Sequence, residues 1–222
     1  MSTAIYLSYP VSQKTPLYGN ATGIEIKPDQ HQSKGDGCNT MVWNFSNHTG
    51  THVDVPRHFS LSGRTVTDYP PEFWIFNRIE VVDISNSVHD CQIIEPGIIP
   101  DFYTSEPELV LFQTGYGKFR GTDRYTLTPP GFSENVYCWL KNKYPSVRCI
   151  GMDIISISSF CNRDEGRKAH KAFLAPEQGA PVLLIEDMRL NFKGGLKQVI
   201  VAPVIVEHAD GSPCTVFGIV SD

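Results

Sequence analysis

Residues 47–59 read Asn-His-Thr-Gly-Thr-His-Val-Asp-Val-Pro-Arg-His-Phe, and three of the chain's seven histidines, His48, His52 and His58, fall there within eleven residues, with Asp54 among them. Imidazole nitrogen and carboxylate oxygen together suit divalent zinc, manganese or iron. A catalytic ion keeps about three protein ligands and one open position for water or substrate. This one segment carries enough donors for such a site. His31, His89 and His208 stand in polar, turn-like contexts and read as ordinary histidines.

The element that carries the donors is no regular helix, because Gly50, two threonines, Val53 and Pro56 all disfavour one. A strand fits better, since positions 48, 52, 54 and 58 share parity and face one side. On a straight strand, at about 3.3 Å per residue, His48 and His52 would lie roughly 13 Å apart. Donor atoms must come within about 2.0–2.2 Å of one ion. The chain should therefore bend between them, and Gly50 permits the bend. His52 and Asp54 converge unaided. Pro56 ends regular pairing before His58, which sets His58 apart for proton transfer, as imidazole titrates near neutrality. A further ligand or a structural part remains open for it.

So short a segment rarely closes a metal site alone. His170, beside the apolar positions Ala169 and Phe173 of a helical run, is one candidate distal ligand. Glu186, where the apolar run Pro-Val-Leu-Leu-Ile ends, is the other. An unpaired carboxylate buried there would cost several kcal/mol, on the order of what an ion would offset. A salt bridge or cap would serve either residue as well.

Around these residues the pattern is that of an α/β chain richer in strand than helix. A strand is expected at 4–7, then an irregular stretch from Ser8 to about Gly37. Val- and Ile-rich runs at 79–84, 109–113, 148–154, 181–185, 198–206 and 214–220 read as further strands, several apolar throughout as buried strands are. Residues 133–143, with Ser133 as cap, and 163–174, with Asp164 and Glu165 in the first turn and Pro176 beyond the end, carry helical periodicity. Asp210–Gly211 signals a hairpin-type connection. No repeat or linker divides the chain, so residues 1–222 are expected to form a single domain, a mixed sheet or barrel with a few helices.

A net charge of −5, with no block of Lys and Arg, argues against a nucleic-acid backbone as partner. The N-terminus lacks the basic start and apolar core of a signal peptide, and no apolar stretch approaches the roughly 20 residues of a membrane span, so neither export nor a membrane is expected. The six scattered cysteines, without a Cys-x-x-Cys pair, then read as reduced thiols of a cytoplasmic protein.

The stretch from His48 to Phe59 resembles the His-x-Gly-Thr-His-x-Asp-x-Pro-x-His signature of the cyclase family of metal-dependent hydrolases, to which bacterial kynurenine formamidases and isatin hydrolases belong. The similarity extends to Leu7-Ser8, Tyr18-Gly19, the Thr114-Gly115 strand end, Gly151-Met152-Asp153 with Ser156, and Asp210-Gly211-Ser212-Pro213. The resemblance implies a swivelling β/β/α fold around a barrel and a homo-oligomer, dimer or tetramer. It implies that His48, His52 and Asp54 bind one or two zinc or manganese ions, with His170 and Glu186 as distal ligands and His58 as the catalytic acid/base. The stretch from Ala175 to Gly179 is longer than the family's loop, which leaves Asp187 in competition with Glu186.

The expected activity is hydrolysis of a C–N bond in a small amide, formamide or lactam. Trp43, Phe45, Phe59, Phe73 and Trp74 would line an aryl pocket or else sit in the core. The alternatives are a lyase, cyclase or dehydratase that stabilises an enolate on the same metal, and a non-catalytic binding protein.

Overall fold

The apolar runs become strands, and their lack of alternation has a direct structural reason. A computed structural model describes residues 3–221. Its strands are β1 (Thr3–Tyr6), β2 (Glu25–Pro28), β3 (Met41–Asn44), β4 (His52–Asp54), β5 (Ile75–Phe76), β6 (Ile79–Asp83), β7 (Ile93–Ile94), β8 (Leu109–Gln113), β9 (Gly131–Phe132), β10 (Cys149–Met152), β11 (Leu183–Glu186), β12 (Gly195–Pro203) and β13 (Gly211–Ser221). Three α-helices accompany them: α1 (Asp123–Leu127), α2 (Glu134–Lys143) and α3 (Arg163–Leu174). Strands β6, β8, β10 and β11 pair in parallel, and a parallel strand buries both faces. Alternate residues of one run accordingly enter two cores. Val110, Phe112, Ile150, Met152 and Leu184 pack under α2 and α3 with Val136, Leu140 and Phe173. Leu109, Leu111, Cys149, Leu183 and Ile185 face the other way, towards Val53, Val55, Val199 and Val216.

The nine-stranded sheet runs β5-β12-β13-β4-β11-β10-β8-β6, with β1 added on β13. Only Asn77 and Arg78 separate β5, at one end of that order, from β6 at the other. The sheet must therefore curl until its ends meet, which makes it a nearly closed, barrel-like mixed sheet with helices on one side. Strand β4 is only three residues long, yet it is paired on both edges. Glu186 of β11 lies opposite His52 and Leu184 opposite Asp54, while β13 sets Gly211 opposite Asp54.

Both expected helices form at their predicted places, and the Ser133 hydroxyl accepts a hydrogen bond from the Asn135 amide as its cap role requires. Each expected strand forms within a few residues of its predicted ends. The irregular stretch holds more order than its composition indicates: β2 pairs with β3 in an exposed hairpin. That hairpin rests on backbone pairing and buries no apolar face, so hydropathy carries no trace of it. The two-residue strands β5, β7 and β9 are too short to give a period.

The chain bends at Gly50 and leaves regular pairing at Pro56, as expected: β4 is flanked by a left-handed Gly50 (φ +66°) and by a single 3-10 turn over Pro56–His58. One further expectation is corrected. The cysteines are not all free thiols, since Cys91 and Cys161 are disulfide-bonded across 70 residues. A criterion of local spacing cannot register a pairing that the fold brings about. Cys38, Cys138, Cys149 and Cys214 are free. No helix among the described residues is long and apolar enough to cross a membrane.

Candidate metal centre

The alternation of β4 decides which side chains meet. Val53 and Val55 point into the barrel core, so His52 and Asp54 point the opposite way, towards α3. Glu186 shares that face because it stands directly opposite His52 in the antiparallel pair. From above, α3 lowers His170 onto the group, on the same buried helix face as Gly166, Ala169 and Phe173. The four side chains are each less than a tenth exposed.

Their hydrogen bonds leave specific atoms facing one another. The Nδ1 of His52 lies 2.8 Å from the Gly50 carbonyl, and the Nδ1 of His170 lies 2.9 Å from the Gly166 carbonyl. A carbonyl only accepts, so in both rings Nδ1 carries the proton. Each Nε2 is then turned inward: that of His52 lies 3.4 Å from Asp54 Oδ1 and 3.4 Å from Glu186 Oε2. That of His170 lies 3.5 Å from Glu186 Oε1 and 3.7 Å from Asp54 Oδ2. Glu186 Oε1 also accepts from the Ile157 amide (2.7 Å) and the Ser156 hydroxyl (3.1 Å). An imidazole that donates from one nitrogen to a backbone carbonyl and offers the other is the usual posture of a metal ligand. Both rings hold it, around two buried carboxylates that repel each other. The donor set fits a divalent cation.

In the metal-free protein, protons take part of that load. Burial alone would lower the pKa of His52, but the charge of Asp54 and its bond with Glu186 outweigh it and raise the value to about 9. His170 is pushed to about 10 against burial by the same two carboxylates. Burial and Asp54 both disfavour the charge of Glu186, yet His170 and His52 hold its pKa at about 2. Asp54 is held well below the usual carboxylate range, against burial, by His52, His170 and His48.

A second group adjoins the first through Asp54. His48 Nδ1 lies 2.8 Å from Asp54 Oδ1, and its Nε2 lies 3.0 Å from Asp210 Oδ2. His58 Nδ1 meets the same Asp210 oxygen at 2.7 Å, and the two rings are 4.2 Å apart. The donors of His52, Asp54 and Glu186 lie within 4.8 Å of one another, and so do those of His48, Asp54 and His58. His58 thus stands beside His48 rather than apart from it. Gly211 makes this approach possible, because a Cβ there would sit 2.6 Å from the His48 ring.

Asp187 takes no part in either group. Its φ of +51° turns it away, and its carboxylate accepts from Arg120 (2.8 and 2.7 Å) and from the Tyr125 hydroxyl (2.6 Å). Sequence reasoning missed Asp210 and Asn47, whose amide donates to Asp210 Oδ1 at 2.7 Å. Asp210 reads as a turn residue, and only the recurrence of Asp-Gly in the family resemblance marked its position.

A cavity of about 430 Å³ opens over these groups, walled by Leu17, Tyr18, Phe59 and Ile155. Phe59 stacks on the His170 ring at 4.9 Å. Of the two places expected for the aromatics, Phe59 takes the cavity and the others do not. Phe73 and Trp74 pack in or against the barrel core, and Trp43 and Phe45 line a different groove.

The sequence profile of the cyclase family, described as putative cyclase, matches residues 5–159. The chain belongs to the cyclase family. Among family relatives, the kynurenine formamidase of Bacillus cereus is 24% identical over 211 residues, covering 94% of this chain and 93% of that one. Cyclase-like protein 2 of Oryza sativa subsp. japonica is 23% identical over 230 residues, covering 93% of this chain and 75% of its own length. The fold is that of solved relatives. Isatin hydrolase A from Labrenzia aggregata, bound to benzyl benzoate, superposes with a TM-score of 0.82 at 20% identity over 100% of this chain and 94% of that one. An isatin hydrolase bound to the product analogue thioisatinate gives 0.75 at 19%, covering 100% of this chain and 93% of that one.

Proposed function

We propose that this chain, acting as one domain over residues 1–222, is a metal-dependent hydrolase that cleaves the C–N bond of a small amide, formamide or lactam. The observation that carries the reading is the pair of buried imidazoles, His52 and His170, each donating Nδ1–H to a carbonyl and presenting Nε2 to two carboxylates. The names of the kynurenine formamidase and isatin hydrolase relatives support the bond type.

His52, Asp54, His170 and Glu186 would hold the ion, and His48, beside Asp54, would serve as a further ligand to it or to a second ion. Nitrogen and oxygen donors without sulfur suit zinc or manganese. A divalent ion bound there supplies Lewis-acid activation of water and of the substrate carbonyl. His58 takes the proton of the attacking water and delivers it to the departing nitrogen. Asp210 accepts from His58 Nδ1 and so leaves Nε2 turned to the substrate. Tyr18, Phe59 and Ile155 line the cavity in which the reacting carbonyl would sit.

The test is hydrolysis of formanilide in isotopically labelled water after chelation and again after return of zinc or manganese. Chelation should abolish turnover, the metal should restore it, and label should enter the formate. Full activity in chelated protein, or turnover without label uptake, overturns the reading.

A homo-oligomer is part of the proposal. Met41, Trp43, Val204 and Val206 expose large apolar side chains along a groove of about 890 Å³, a surface that soluble monomers seldom leave open. Light scattering at the mass of one chain would contradict it.

A further inference from the structure

The cavity is not neutral at its mouth. Arg163 and Arg167 line it, and with His170 they occupy one face of α3, since residues four and seven positions apart return to the same side of a helix. The two arginines are differently engaged. Arg167 pairs with Asp164 one turn back, whereas Arg163 has no ion-pair partner among the described residues. Its guanidinium carbon lies 5.5 Å from the centre of the Phe160 ring, and the side chain is exposed.

The acidic groups of the same cavity cannot neutralise it. Asp54 and Glu186 face the imidazoles, and Asp187 is committed to Arg120. A ligand entering this cavity meets a cationic rim in a chain whose net charge is −5. The same cavity also carries the apolar side chains of Leu17, Phe59 and Ile155. Seven residues of helix separate the Cα atoms of Arg163 and His170 by about 10 Å, at 1.5 Å per residue. That distance holds one aryl ring with an anionic group beyond it.

We infer that the cavity selects amides that carry a carboxylate about one aryl ring away from the scissile bond, with Arg163 as the group that binds this carboxylate. Arg167 adds to the positive field. The planar fork of a guanidinium matches two carboxylate oxygens at once, which a free amide or hydroxyl at that end would not. The inference rests on the hydrolase reading above, so its test must separate the two.

The probes are para-formamidobenzoate and neutral formanilide, which differ only in the carboxylate. For the metal-loaded enzyme, kcat/KM should favour the carboxylate probe by roughly tenfold or more, through KM, as a charge-assisted pair would give. The preference should shrink at about 0.5 M salt, where exposed charges are screened. Arg163→Gln should lose most of the preference and Arg163→Lys should recover part of it. Lys168→Gln, on the same helix but paired with Glu165, should keep the wild-type ratio. A wild-type ratio of one or below, or a ratio unchanged by Arg163→Gln, overturns the inference. If neither probe is hydrolysed, the hydrolase reading fails on its own, and calorimetry with non-hydrolysable para-acetylbenzoate decides this one. Binding roughly tenfold weaker in Arg163→Gln than in wild type supports it, and equal or absent binding overturns it.

Discussion

At the scale of single residues, His52 and His170 each have the free nitrogen chosen by what the other nitrogen donates to, while His48 sets both nitrogens against carboxylates. Much of this was legible in the sequence. His48, His52, Asp54 and His58 announce themselves by density and residue type, and the bend expected at Gly50 is present as a left-handed backbone. Asp210 was not legible, because its partners His48 and His58 lie 162 and 152 residues away. His58→Ala should lower kcat by about a hundredfold or more, as loss of a positioned acid/base does. Asp210→Asn should cost roughly ten- to a hundredfold, with metal content and KM largely kept, which steady-state kinetics and elemental analysis will check.

Protonation gives a second prediction at this scale. In the metal-free protein the pKa of His52 rises from 6.5 to about 9 and that of His170 to about 10. A raised folded-state value means that their stabilisation is fully present below about pH 6.5 and is lost as pH climbs through 9 and 10. Glu186, lowered from 4.5 to about 2, stabilises above its unfolded value, and that contribution is lost as pH falls through about 2. The denaturation midpoint of metal-free protein should therefore fall between pH 7 and pH 10, and metal binding at neutral pH should release protons. A midpoint that stays flat or rises across that range contradicts the assignment.

At the scale of elements, register does the positioning. The pairing of β4 with β11 puts His52 and Glu186 side by side, and α3 supplies His170 from the opposite direction. The strands with continuous apolar character were legible because a parallel strand buried on both faces leaves no other pattern. The β2–β3 hairpin was not, since an exposed hairpin needs no apolar face. Opposite β4, Gly211 touches the site through its missing Cβ. Gly211→Ala would place that atom 2.6 Å from the His48 ring and 2.9 Å from the Val53 carbonyl. It should destabilise the protein by about 1–3 kcal/mol, as overpacking does, and reduce metal affinity. Chemical denaturation and metal titration of the variant will check both effects.

At the scale of the whole molecule, the curl of the sheet joins a motif near residue 50 to ligands near 170 and 186 and to Asp210. Such joining is topological, and no local pattern reports it. The same holds for Cys91 and Cys161, whose bond ties the region ahead of α3 to the loop after β6. It is the feature that opposes a reducing cytoplasmic setting. Cross-linking a loop of this length should add roughly 4 kcal/mol in the chain-entropy account. Unfolding with and without reductant, compared with Cys91→Ala, should show that difference. Equal stability in all three would mean that the pair is reduced in the native protein.

The central claim is that Asp54 and its neighbours hold a divalent ion. Elemental analysis of protein loaded with zinc or manganese and then desalted tests it most directly, in wild type and in Asp54→Asn. Wild type should retain about one to two equivalents per chain, as in a catalytic centre, and the variant should lose most of it. Wild-type protein that retains no metal, or a variant that retains as much as wild type, would contradict it.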